Sequence, residues 1–203
     1  MITLCFNDCD RVDFLEERLP ASSKIYDEML IPCMESELGT NALSGTLVYL
    51  HTYGSHFPWN EMYPASEKYF DGGNARLDTY DDSVRYTDKL LGELITRLKG
   101  LDAPTFLWYI PDHGETPRSP SWRYNDSPDL WELPVFFWCS SQYRERFGRT
   151  VDALVKSVDL SLQLDQMLPL LLETLQIKDD RLTESPVPRE HRMIKCWAEE
   201  YVR

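Results

Sequence analysis

Asp112 and His113 stand side by side in "FLWYIPDHGETPR", residues 106–118, where an apolar run meets a polar cluster. A carboxylate oxygen and an imidazole nitrogen together suit Zn2+, an ion that usually takes four N, O or S ligands. Adjacent side chains on a regular strand point to opposite faces. At a strand end the chain can turn, and Gly114 gives the backbone freedom to do so. Glu115 is placed to orient a ligand from behind. His56, in "YGSHFPWNEMYP", offers either a third metal ligand or a contact to a substrate phosphate. Arg118 and Arg123, in "RSPSWR", carry guanidinium groups that match phosphate oxygens. Each feature also has a plainer explanation. Asp112 can cap a turn, His113 can be a satisfied loop histidine, the aromatics around His56 can be loop packing, and the arginines can pair with surface acids.

Other chemistries find little support. The chain has no G-x-S-x-G, no P-loop and no G-x-G-x-x-G, so nucleophile elbows and nucleotide cradles are not indicated. Thr52, Ser55 and Thr116 lie near the candidate residues, but nothing marks one as a nucleophile. In "YDDSVRYTDKL", Asp81, Asp82 and Asp88 with Arg85 read as helix-start acids, and Asp81–Arg85 as an i,i+4 pair. No chemistry is assigned to them. Cys5, Cys9, Cys33, Cys139 and Cys196 are scattered and odd in number. "CFNDC" lacks a second Cys/His pair at zinc-finger distance, so a disulfide or free thiols are expected. His191 reads as a solvated tail residue.

The elements that must hold these residues follow from periodicity. Residues 10–38 read as a helical region, and "GTLVYLH", Gly45–His51, as a short buried strand. An ordered loop rich in Gly, Pro and aromatics follows. From Tyr80 to Lys99, Val84, Leu91, Leu94, Ile95 and Leu98 recur at helical spacing, and Gly100 stops the helix. Residues 105–110 and 133–139 read as further buried strands, and 159–177 as an amphipathic helix covering a sheet face. Strand, helix, strand suggests a right-handed βαβ unit with parallel strands. The class is α/β, where ligands bind beyond the carboxyl ends of strands. His51, His56 and His113 all fall at that predicted edge. Residues 178–203 read as a charged C-terminal arm.

Composition narrows the partners. The chain has 203 residues, 42% of them hydrophobic and 12% aromatic, with six Trp, which argues for one folded domain with a core. Its net charge of −13 disfavours nucleic acid, whose affinity comes from Lys and Arg. No run is long and apolar enough to span a membrane, and no signal peptide is evident at the start.

Four segments in order, "YDEMLIP", "LVYLHTYGSHFPWNEMYP", "YDDSVRYTDKLLGELITRL" and "WYIPDHGE", resemble the catalytic domain of phosphoethanolamine transferases. These enzymes belong to the sulfatase and alkaline-phosphatase superfamily. The resemblance covers roughly residues 24–176, within a stretch 1–177 that looks like the C-terminal part of a sulfatase-like domain. It implies an alkaline-phosphatase-like fold, a mostly parallel sheet flanked by helices, incomplete here at its N-terminal side. It implies a protein of the inner membrane whose catalytic domain faces the periplasm, anchored by segments not on this chain. The implied reaction moves phosphoethanolamine from a phospholipid donor to lipid A or another envelope glycan. By the same resemblance Asp112 and His113 are zinc ligands and His56 contacts the transferred phosphate. The family's nucleophilic threonine and a glutamate ligand precede the GSH loop, and this chain is expected to lack both. Fuller members also carry a His-Gly after the DHGE. "TPRSPSWRYNDSPDLWELP" has no histidine, which leaves Arg118 or Arg123 for the phosphate. The alternatives are a sulfatase or phosphoglycerol transferase of the same superfamily, or a non-catalytic truncated remnant. Alone, the chain is expected to show little or no transferase activity and, with sheet edges exposed, poor solubility.

Overall fold

The longest regular element is α3, Ala75–Lys99. Asp78, Asp82, Tyr86, Leu90 and Leu94 are all buried and recur every four residues along it. That spacing places them on one face. The stripe opens with two carboxyl groups and then turns apolar. The sequence predicted a helix from Tyr80 with Val84 on its apolar face. The helix starts at Ala75 instead, and Val84 is 43% exposed. The buried face runs through acids because each acid meets backbone N–H donors.

The computed structural model describes residues 12–38, 45–118, 128–158 and 162–177. The chain divides into two compact units, ending and beginning at Leu90 and Leu91. In the first unit, α1 is a single turn, Leu15–Arg18. Asp13 pairs with Arg18 there at 2.5 Å. A 3-10 turn, Asp27–Met29, leads into α2, Leu30–Leu38, which buries Ile31 and Met34. Trp59, Tyr63, Tyr86 and Leu90 complete the buried apolar set of this unit. Asp82 is wholly buried and accepts from the amides of Tyr69 (2.8 Å) and Phe70 (3.0 Å) and from the Tyr63 hydroxyl (3.2 Å). Burial first, then the Asp82 charge, pushes the Tyr63 phenol up to about 12. Arg85 pairs with Glu67 at 3.6 Å and lies 4.7 Å over the Tyr69 ring, rather than serving Asp81 as the i,i+4 reading expected.

The second unit is built on two strands, β1 (Phe106–Tyr109) and β2 (Phe136–Cys139). They pair antiparallel, with Phe106 opposite Cys139 and Tyr109 opposite Phe136. The Ser140 hydroxyl ties two elements: it accepts from the Thr105 amide beside β1 and from the Tyr143 amide in α4, Ser141–Arg146. This is an ordinary helix N-cap. Next comes α5, Gly148–Lys156, with Val151 and Leu154 buried. A 3-10 turn with a Gln163–Gln166 capping box starts α6, Met167–Thr174. Val135, Leu162 and Met167 form a core cluster against Trp108 and Leu170. Thr174 joins strand and helices: its hydroxyl accepts from Trp108 Nε1 at 3.2 Å and its carbonyl from the Tyr143 hydroxyl at 2.6 Å.

Several expectations need correction. Residues 45–51 form no strand, and Leu47, Val48 and Tyr49 are exposed. A strand requires a neighbour to complete its ladder, and none pairs with this segment among the described residues. The expected βαβ unit therefore lacks its first strand. No parallel pairing occurs among the described residues, where β1 and β2 run antiparallel. Short apolar β-rich runs report burial and not strand direction, so the sequence could not distinguish the two. Of the helix expected over 159–177, the described residues 162–177 hold a 3-10 turn, Leu164–Gln166, and an α-helix from Met167 to Thr174. Of the helical region expected over 10–38, the described residues 12–38 hold α1 and α2, with non-helical chain and the Asp27–Met29 3-10 turn between them. The arm at 178–203, Cys5, Cys9, Cys196 and His191 lie outside the described residues. Among the described residues no helix is long and apolar enough to cross a membrane.

The Tyr143–Thr174 bond generates a test. Thr174 is 1% exposed, so its carbonyl has little water to replace a lost donor. Tyr143→Phe is expected to destabilise the chain by about 1–3 kcal/mol. Urea denaturation checks this, with the midpoint moving and the slope constant.

Candidate functional site

The DHGE segment leaves β1 through Ile110 and Pro111 and turns at once. The Asp112 side chain is 91% exposed and that of His113 34%. Asp112 Oδ1 accepts from the His113 amide at 3.0 Å. The same oxygen lies 4.0 Å from His113 Nε2. Thus the two side chains, adjacent in sequence, do come to one side of the turn. His113 Nδ1 contacts the Gly114 carbonyl at 2.8 Å. A carbonyl only accepts, so Nδ1 carries the proton and Nε2 bears the lone pair. That is the tautomer of a metal-ligating imidazole whose other nitrogen is held by a carbonyl.

Gly114 anchors the turn for a reason the sequence did not disclose. It is not among the glycines of positive φ. Its amide donates to the Leu130 carbonyl at 3.0 Å. A Cβ here would sit 2.0 Å from the Asp129 carbonyl oxygen. The position therefore needs an absent side chain, not unusual dihedral freedom. Glu115 follows, half-buried, and Arg118 is exposed. Arg123 lies outside the described residues.

His56 belongs to the first unit. The turn carrying it is closed by its own amide, which donates to the Tyr53 carbonyl at 3.3 Å. Gly54 in that turn has φ +57, a left-handed conformation that glycine adopts without strain. Asp27, 4% exposed, holds the turn from the 3-10 turn that precedes α2: Oδ1 accepts from the Tyr53 amide at 2.9 Å and Oδ2 from the Gly54 amide at 2.8 Å. His56 Nδ1 bonds the Phe57 carbonyl, so here too Nε2 carries the lone pair in the neutral ring. The aromatics pack as a row, Phe57 edge-on to Trp59 at 5.4 Å and Trp59 to Tyr80 at 5.3 Å. Arg76 lies 5.0 Å over the Trp59 ring. The loop is thus tightly held while its histidine stays exposed.

The structure places His56 in one unit and Asp112, His113 and Arg118 in the other, and each group is described within its own unit. Only Asp112 and His113 are drawn together within a unit. Among the described residues no group of three or more His, Cys, Asp or Glu is placed to hold a metal. Sequence reasoning missed Asp27 and Asp82. A signal for Asp82 was present: Asp78, Asp82, Tyr86 and Leu90 repeat at the spacing of one helix face, but two of them are acids. For Asp27 no local signal exists, because its partners lie 26 and 27 residues away.

Two outcomes are expected. Gly114→Ala forces backbone against backbone, and the resulting overpacking costs about 1–3 kcal/mol or more. Thermal melting measures the loss, and NMR of the His113 ring reports the displaced turn. Asp27 supplies a pH test. Burial raises its carboxyl above the ordinary 3.8, against the Tyr53 and Gly54 amides and His51, which lower it. A raised folded pKa means that the group's contribution is fully present below 3.8 and is lost as pH rises through the folded value. The stability difference between the native chain and Asp27→Asn is therefore expected to shift against the native chain as pH rises through that window. Urea unfolding of both proteins across it is the check, and a pH-independent difference contradicts it.

Comparison with known proteins gives these residues a family. The sulfatase family model matches residues 5–168. Putative transferase YhbX of Escherichia coli K12 is 31% identical over 134 residues, 63% of this chain and 24% of that protein. The Kdo(2)-lipid A phosphoethanolamine 7''-transferase of the same strain is 30% identical over 141 residues, 60% of this chain and 24% of that protein. Phosphoethanolamine transferase EptA of Salmonella typhimurium LT2 is 30% identical over 169 residues, 70% of this chain and 31% of that protein. The matched part thus spans about a quarter to a third of these relatives. No solved structure matches significantly. The family match carries with it the alkaline-phosphatase-like α/β class expected from the sequence. With its match over residues 5–168, the chain belongs to the sulfatase family and is similar to phosphoethanolamine transferases within it.

Proposed function

We propose that this chain carries the metal- and phosphate-binding part of an enzyme that transfers phosphoethanolamine from a phospholipid to lipid A or another envelope glycan. The observation that carries this reading is the Asp112–His113 pair, with Oδ1 and Nε2 4.0 Å apart at the end of β1, in a chain similar to named phosphoethanolamine transferases. Two donors on one tetrahedral Zn2+ stand about 3.3–3.5 Å apart, given bonds of about 2.0–2.2 Å. A small rotation of the exposed Asp112 side chain closes the difference. The pair therefore fits zinc as two ligands of four. Bound there, zinc supplies a Lewis acid that neutralises phosphoryl charge and acidifies a nucleophilic hydroxyl.

The protein's own groups have separate tasks. His56, when protonated at Nε2, donates to an oxygen of the transferred phosphate. Arg118 and Arg123 add guanidinium donors to the same phosphate. The nucleophile is a threonine outside the described residues. In this reading the chain contributes to a mostly parallel sheet completed by other strands of the domain. The acceptor in one relative's name is Kdo(2)-lipid A. An acceptor of that kind suits an inner-membrane protein whose catalytic domain lies in the periplasm. One observation favours a second reading, a non-catalytic remnant: the described residues bring together no third donor.

Zinc titration of the chain separates these readings. Stoichiometric zinc is expected, weakened at least ~10–100-fold by Asp112→Ala or His113→Ala. His56→Ala is expected to keep zinc and to lose affinity for phosphoethanolamine. Undiminished zinc binding in both ligand variants, or no zinc in the native chain, overturns the transferase reading of this site.

A further inference from the structure

We propose that Asp27 is a positioning residue for His56, its buried carboxyl group fixing the turn on which that histidine is carried. The inference rests on the reading that His56 contacts the transferred phosphate. Asp27 spends both oxygens on two consecutive amides, Tyr53 at 2.9 Å and Gly54 at 2.8 Å. The turn's own closing bond, from the His56 amide to the Tyr53 carbonyl, is longer at 3.3 Å. The stronger hold on the turn therefore comes from outside it. That hold is tertiary, since donor and acceptor are 26 and 27 residues apart.

The carboxyl group is not needed to pack α2. Ile31 and Met34 already bury that helix. A buried carboxyl group is expensive to desolvate, and an apolar residue fills the same space at lower cost. What an apolar residue cannot do is satisfy two amides of a turn whose Gly54 is buried with φ +57. Asparagine has one acceptor oxygen, so it serves one amide and sets an N–H2 against the other. Phe57 and Trp59 hold the chain after His56, and Asp27 holds it before. The imidazole is thus fixed from both sides while remaining exposed.

Amide hydrogen exchange on the full chain tests this. In Asp27→Asn, protection at Tyr53, Gly54 and His56 is expected to fall about 10-fold or more, with α5 and α6 unchanged. A uniform fall across the chain marks a merely structural role and overturns the proposal. Gly54→Ala strains the same turn from its other side and is expected to give the same local loss; it decides the matter if Asp27→Asn does not fold. The second readout is the His56 ring resonance during titration with inorganic phosphate. The native chain is expected to shift and Asp27→Asn to lose that shift. Equal shifts in both overturn the positioning role. Local loss of protection without any phosphate shift in the native chain leaves Asp27 as the turn's anchor and removes the phosphate contact instead.

Discussion

Buried carboxyl groups that accept from loop amides organise the first unit. Asp27 takes the amides of Tyr53 and Gly54, and Asp82 those of Tyr69 and Phe70 together with the Tyr63 hydroxyl. Burying such a group is unfavourable unless its oxygens are matched. Once matched, it defines loop conformations that apolar contacts alone leave loose. The loop between them is poor in regular structure, holding only two short 3-10 turns. It nevertheless has a defined path, because acids in the 3-10 turn before α2 and along α3 grip its two ends.

The second unit uses a different device for the same end. Its strand pair, with Tyr143 and Trp108 bonded to Thr174, makes a rigid support. The DHGE turn departs from that support and is held by backbone contact, Gly114 against Asp129 and Leu130. In both units the histidine is placed by its neighbours' backbones and keeps its own ring accessible. His56 and His113 also share one detail: Nδ1 meets a nearby carbonyl, which leaves Nε2 as the basic nitrogen. In His113 a preset tautomer of this kind suits a metal ligand, which needs a lone pair at Nε2.

The strands that support the DHGE turn were legible. An apolar run that ends in a polar cluster marks a strand reaching an edge, and residues 105–110 and 133–139 match β1 and β2 to within a few residues, although β1 is half-buried throughout and β2 buries only Trp138. The position of Asp112 and His113 followed from that. What was not legible depends on distant partners. Residues 45–51 have strand composition, but a strand exists only with a neighbour. Pairing direction leaves no trace in "FLWY" or "FFWC". The start of α3 was hidden because its first buried residues are Asp78 and Asp82, which a hydrophobic pattern skips. Gly114 was legible as a necessary glycine, yet for the wrong reason: crowding by Asp129, not dihedral freedom, requires it.

The central claim is that Asp112 and His113 are ligands of one zinc ion. X-ray absorption at the zinc edge of the zinc-loaded chain tests it most directly. The account predicts a first shell of nitrogen and oxygen at about 2.0–2.2 Å with an imidazole signature. A shell dominated by sulfur at about 2.3 Å, placing the metal on the cysteines, contradicts it.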